Sequence, residues 1–199
     1  MASLNDFIIS KVRTKILELF FSQPQEMYYV REITRATKQE INAVRRELDK
    51  MMETGLLKSE QRGNRLYYSL NRRYLYYQEL QRMVIKSVGL GKKIRRYRRK
   101  LGTVSYVMFT GTFVEREMAK KDELDILVVG DVVLAELEEL IHAEEKVLNR
   151  EINYSVLSDE EFEFRKTRRD PFIMDAMYGV KIMVIGSELE FCQRQVPVI

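Results

Sequence analysis

The sequence predicts an α+β protein of two domains. The first holds helices and a small hairpin, and the second is an α/β arrangement on a mixed sheet. Three observations carry this. In the first half, segments with helical apolar spacing precede two short strand-like runs that meet around Gly63-Asn64. The second half alternates strand-like apolar runs with helical segments, the pattern of a sheet covered by helices. Between the halves, Gly89-Leu90-Gly91 interrupts the periodicity, which places the boundary between 1–90 and 91–199.

Charge divides at nearly the same place. Residues 1–100 hold 23 Lys and Arg against 10 Asp and Glu, a balance of +13. Residues 101–199 hold 11 against 20, a balance of −9. The basic half points to a polyanionic partner, and the acidic half is a poor candidate for touching one. A hydrophobic content of 45% over 199 residues is ample for a packed core. The single cysteine, Cys192, excludes an internal disulfide framework and any multi-cysteine zinc site. No apolar run reaches the length of a membrane span and residues 1–10 carry no signal-peptide pattern, so a cytoplasmic protein with no membrane partner is expected.

In chain order, 7–21 is the first helix, with Ile8, Ile9, Val12, Ile16, Leu17 and Phe20 on a broad apolar face. Gln23-Pro24 stops it. Tyr28-Tyr29 is a very short strand, 30–36 a short helix with Val30, Ile33 and Ala36 inward, and Thr37-Lys38-Gln39 a tight turn. A longer helix over 40–54 buries Ile41, Val44, Leu48 and Met51, with Gly55 as its C′ residue. Strands at 56–59 and 66–70 flank the hairpin tip. A helix over 74–88 has Leu75, Leu80, Met83, Val84 and Val88 as its apolar face.

This order of helix, helix, turn, helix and hairpin is that of a winged helix-turn-helix. The stretches YYVREITRAT and INAVRRELDKMMETGLLKSEQRGNRLYYSLN resemble the ArsR-like group of transcriptional regulators over roughly 10–72. Lys38 departs from the Gly common in such turns, so a positive φ is expected there. No Cys or His cluster of a metal sensor is present. With Ile41, Val44 and Leu48 buried, Gln39, Glu40, Asn42, Ala43, Arg46 and Lys50 project outward, a set suited to major-groove base edges. Arg62, Asn64 and Arg65 on the wing suit phosphates or the minor groove. Double-stranded DNA is therefore the expected partner. The resemblance also implies a homodimer through the helix after the wing; the alternative is that this helix packs on the first one.

The second domain begins with KKIRRYRRK at 92–100, seven basic residues in nine, whose Ile94, Tyr97 and Leu101 form one apolar edge of a helix. It either grips phosphate or is a solvated face. A strand over 104–109 runs into the small-residue turn Gly111-Thr112, a charged helix-compatible segment follows, and Asp122-Glu123-Leu124-Asp125 leads into a strand over 126–129. Carboxylates at i and i+2 of an extended strand share a face, and a Gly-Thr turn at a helix start offers N–H groups to phosphate. A helix over 133–150 with Leu137, Leu140, Ile141 and Val147 inside, a strand over 152–157, two short helices and a last strand over 181–185 complete the domain. His142 is alone, with no His or Cys partner for a metal.

The pair Gly111-Thr112 followed by KDELDILVVG resembles the minimal nucleotidyltransferase domain of the polymerase-β-like superfamily, over roughly 93–187. The family pattern is Gly-Ser, a spacer, then Ser-Asp-h-Asp-h with h apolar. The resemblance implies Gly111 and Thr112 as nucleotide-binding residues, and Glu123 and Asp125 as metal ligands and catalytic carboxylates for Mg²⁺ or Mn²⁺ with an NTP. Asp122 sits where a small Ser is usual, and two of the three acidic positions depart. Glu123 stands where the first Asp is usual, and its extra methylene displaces the ligating oxygens. Asn153 best fits the third carboxylate and cannot act as a base, with Glu151 the only acid near it.

The whole chain thus resembles regulators that fuse an N-terminal winged helix-turn-helix domain to a C-terminal nucleotidyltransferase-like α/β domain with a mixed sheet. The expected function is a DNA-binding transcriptional regulator whose second domain is degenerate and at most binds a nucleotide. The alternative is an active Mg²⁺-dependent nucleotidyltransferase modifying a hydroxyl of a protein, RNA or small molecule.

Overall fold

The structure, a computed structural model, describes residues 8–116 and 123–193. The fold is α+β with two sheets, and the chain divides into two compact units at Val88/Gly89. Residue 7 and the charged segment at 117–122, including Asp122, lie outside the described residues.

In the first unit, α1 (Lys11–Ser22) is capped by Ser10, whose hydroxyl accepts the Arg13 N–H at 3.2 Å. Ile16, Leu17, Phe20 and Phe21 fill its buried face, whereas Ile9 is 98% exposed because it precedes the helix and escapes its periodicity. The strand β1 (Tyr28–Tyr29) leads directly into α2 (Val30–Thr37). Lys38 ends α2 in the left-handed region at φ 55°. The following helix, α3 (Ile41–Glu53), closes in a Schellman motif: Gly55 at φ +78° donates to the Met52 carbonyl and Leu56 to the Met51 carbonyl, each at 2.9 Å. Strands β2 (Leu57–Arg62) and β3 (Arg65–Leu70) form a hairpin, and the antiparallel sheet has the order β1-β3-β2. The core joins α1, Ile33 of α2, Val44, Leu48 and Met51 of α3, Tyr68 and Leu70 of β3, and Tyr77 and Val84 of α4 (Tyr77–Ser87). Leu75, expected inside, is 79% exposed, because α4 starts two residues later and buries Tyr77 and Gln81 instead.

The second unit opens with α5 (Gly89–Tyr97), so the Gly89-Leu90-Gly91 interruption is this helix's first turn. Its sheet has the order β6-β5-β4-β7 and is mixed. The strands β4 (Gly102–Thr110), β5 (Ile126–Val132) and β7 (Lys181–Ile185) pair antiparallel, with β4 between the other two. The edge strand β6 (Tyr154–Leu157) runs parallel to β5 after the crossover helix α7 (Leu134–Leu148). A short helix, α6 (Gly111–Glu115), follows β4. Helices α8 (Asp159–Thr167), α9 (Pro171–Tyr178) and α10 (Glu188–Cys192) supply Phe162, Ile173, Met177 and Phe191 to one core layer with Met108, Leu127, Val129 and Met183 of the sheet. The other two helices, α5 and α7, pack against each other and bury Leu90, Ile94, Leu137 and Ile141. Val147, expected inside, is 73% exposed; the third buried residue of α7 is Glu144.

Candidate functional site

Two surfaces carry the residues singled out above. On the first unit, Asn42, Arg46 and Lys50 are exposed along α3, and Ala43 is half-buried. Arg45, which the sequence reading passed over, is exposed on the same helix; its i+3 spacing from Asn42 is the signal that points to it. Glu40 and Gln39 have a different role. The Glu40 carboxylate accepts the N–H groups of Asn42 at 2.8 Å and Ala43 at 2.7 Å, capping α3. Those two bonds, helped by the charges of Arg46 and Arg45, hold its pKa below the ordinary value. The Gln39 amide donates to the carbonyls of Thr37 at 3.3 Å and Lys38 at 3.2 Å. Both side chains fix the turn that presents α3.

On the hairpin, Arg62, Asn64 and Arg65 are all exposed. Arg62 binds Glu60 through two bonds of 3.0 and 3.2 Å, and its guanidinium lies 5.8 Å from the Tyr67 ring. Arg65 sits 4.5 Å over Tyr29, and Tyr29 and Tyr67 meet edge-on at 5.5 Å. The hydrogen bond and charge of Arg62 lower the Glu60 pKa. These aromatic and acidic partners orient the wing arginines: Glu60 shares a strand face with Arg62 at i−2, and cross-strand geometry brings the tyrosines.

On the second unit, Thr110, Gly111, Thr112, Glu123 and Asp175 line a groove of ≈ 410 Å³ with Met108, Leu124 and Phe172 among its apolar walls. The structure therefore brings Gly111, Thr112 and Glu123 together. The N–H groups expected to hold phosphate are partly taken. Gly111 donates to the Val180 carbonyl at 2.7 Å, and Phe113 donates to the Thr110 hydroxyl at 3.4 Å. Asp175 of α9 was not foreseen, since it lies far along the chain and only the sheet order brings its helix to this edge.

Asp125 is not among the residues lining the groove. It is fully buried and grips Arg150 through two bonds, Nη1 to Oδ2 at 2.9 Å and Nη2 to Oδ1 at 3.0 Å. The Asn153 N–H adds a third bond to Oδ2 at 3.0 Å. The Asn153 side chain instead donates to the Glu123 carbonyl at 3.1 Å, and Glu151 is exposed. The loop that delivers Arg150 is set by Asn149 in the left-handed region at φ 51° and by the Glu145 carboxylate, which accepts the Ile152 N–H at 2.9 Å. His142 pairs with the other Glu145 oxygen at 2.7 Å, and together with the Ile152 bond it lowers the Glu145 pKa.

This geometry does not fit a two-metal triphosphate site. A guanidinium occupies the carboxylate that a divalent ion requires, in the bidentate form that best satisfies both partners. Among the described residues no group of three or more His, Cys, Asp or Glu could hold a metal.

No family model matches the chain, and no curated protein matches it. A solved structure of human N-acetylserotonin methyltransferase in complex with SAM is similar at 13% identity and a TM-score of 0.30. That likeness covers 59% of this chain and 36% of the methyltransferase chain, and it carries no argument about fold or function. No helix among the described residues is long and apolar enough to cross a membrane.

Proposed function

We propose that the chain is a DNA-binding transcriptional regulator of the cytoplasm, a winged helix-turn-helix domain joined to a nucleotidyltransferase-like domain that has lost the metal-dependent site. One observation carries the reading: α3 offers exposed Asn42, Arg45, Arg46 and Lys50 beside a hairpin whose tip bears Arg62, Asn64 and Arg65, all within a net-basic half. Polar side chains on an exposed helix read base edges, and hairpin cations take phosphates. The test is binding to a duplex containing the protein's own promoter. Arg46→Ala should relax sequence preference, costing about 1–3 kcal/mol at one base position, whereas Arg62→Ala should weaken all duplexes evenly. A folded protein that fails to bind at low salt would end the reading. A homodimer belongs to the same proposal, and sedimentation of a monomer at working concentration would remove that part.

A second reading, nucleotidyl transfer, is favoured by the shared groove of Gly111, Thr112 and Glu123. It requires Asp125 to leave Arg150. Label transfer from an NTP with Mg²⁺ or Mn²⁺, abolished by Asp125→Ala, would establish it. Absence of NTP binding would leave the groove without that role.

A further inference from the structure

Helix α5 and the turn after it present cations that their own unit neutralises only in part. The apolar residues Leu90 and Ile94 face the core. Of the basic run at 92–100, Lys93 is held by Glu144 at 3.1 Å and Arg98 by the Val104 carbonyl at 3.3 Å. Lys92, Arg96 and Lys100 are exposed, and among the described residues no carboxylate forms an ion pair with them. They are four residues apart and share one wall of a ≈ 420 Å³ groove with Tyr97. Arg96 and Lys100 lie 5.6 and 5.7 Å from the Tyr97 ring centre, which orders both. The opposite wall carries Glu136 and Glu139 of α7, fewer charges than the cations they face.

We infer that this face of the second unit binds the phosphate backbone of double-stranded DNA, as a contact additional to α3 and the hairpin. Lys92 and Arg96 stand about 6 Å apart at helical rise on α5, and Lys100 follows in the turn after the helix. Duplex DNA presents one charge per about 1.7 Å of axis, so several phosphates come within reach of this stripe. The phosphates within reach outnumber the three cations, so each cation has one to meet. The stripe carries no Asn or Gln to read a base edge, so its contribution is independent of sequence. It also offers no large apolar side chain to insert into a bilayer, since Leu90 and Ile94 are buried and the Tyr97 ring is flanked by Arg96 and Lys100. The inference goes beyond the α3 reading and stands on a different surface.

The test compares four full-length proteins: the native chain, the Lys92→Gln/Arg96→Gln/Lys100→Gln triple variant, the Asn42→Ala/Arg46→Ala variant, and the Glu136→Gln/Glu139→Gln variant. Duplex affinity is measured as a function of salt, with circular dichroism to establish folding. Each cation withdrawn from a phosphate flattens the log–log salt slope by about 0.9, so the triple variant should flatten it by roughly 2–3. Its affinity at low salt should fall by on the order of tenfold on promoter and random duplexes alike. The Glu136→Gln/Glu139→Gln variant should shift affinity the other way. A folded triple variant with native slope and affinity overturns the inference, and if the α3 variant still loses its preference the regulator reading stands. Weaker binding in the triple variant with no change in the α3 variant supports the α5 site and removes the α3 reading. Tighter binding to phosphatidylserine vesicles than to duplex, abolished in the same triple variant, overturns the DNA assignment in favour of a lipid surface.

Discussion

The fate of the carboxylate motif in the second unit turns on Asp125. Its carboxylate is out of solvent and its charge is met by Arg150, whose side chain stays 27% exposed. Removing one partner of a buried pair leaves an uncompensated charge, whereas replacing both by apolar groups need not destabilise. Arg150→Ala should therefore lower stability by about 3 kcal/mol, the low end for such pairs because Arg150 keeps contact with water. Asp125→Leu/Arg150→Met should recover most of that loss in denaturant unfolding. Equal losses in the single and double variants would show that the pair does not hold the edge. At Lys38 the sign is opposite. A lysine at φ 55° sits where a Cβ crowds the backbone, and Gly removes that strain while adding freedom to the unfolded chain. Lys38→Gly should stabilise the first unit by about 0.5–1 kcal/mol in the same measurement.

Between elements, Glu47 ties α3 to α1. Its carboxylate accepts the Ser10 hydroxyl at 2.9 Å and Arg13 Nε at 2.8 Å. Burial alone would push its pKa up. The bonds from Ser10 and Arg13, with the charges of Arg13 and Lys50, outweigh burial and hold the pKa below its ordinary value. A carboxylate lowered in the folded state stabilises fully above its unfolded pKa, and that contribution is lost as pH falls through the folded value. Glu47→Gln should thus cost about 1–2 kcal/mol at neutral pH and nothing in strong acid, seen as converging melting temperatures. Elements of this kind were only partly legible. The α3 helix, its Gly55 ending and the hairpin follow from local periodicity and turn chemistry; the helix lies within a residue of its expected bounds, and β2 runs on to Arg62, three residues past the expected 59. On α4, Val84 is buried and Leu80, Met83 and Val88 pack against the core as expected, and only Leu75 was misread, because Tyr77 and Gln81 take the inward positions. The Asp125–Arg150 pair was illegible for another reason. Its partners are 25 residues apart, and only the α7 crossover, ended by Asn149, closes the distance. A carboxylate pattern at the start of one strand cannot reveal which cation a loop 25 residues away delivers.

At the scale of the molecule, each unit has a core built from its own residues. Phe20, Phe21, Ile33, Leu48 and Tyr77 pack together in the first, and Met108, Leu127, Phe162, Met177 and Phe191 in the second. A unit with its own core and its own sheet is expected to fold alone. Residues 1–88 produced as a fragment should therefore melt cooperatively, with Lys38→Gly raising and Glu47→Gln lowering that transition and Arg150 having no counterpart in it. The fragment carries α3 and the hairpin tip but lacks the α5 stripe. It should keep the promoter preference of the whole chain, because base edges are read by α3, and show a weaker salt dependence, because the α5 cations are absent. Competition titrations at several salt concentrations separate the two quantities. A fragment with native preference and a slope shallower by roughly 2–3 divides specificity and electrostatic grip between the units. A fragment that folds and loses preference would move base recognition out of α3 altogether.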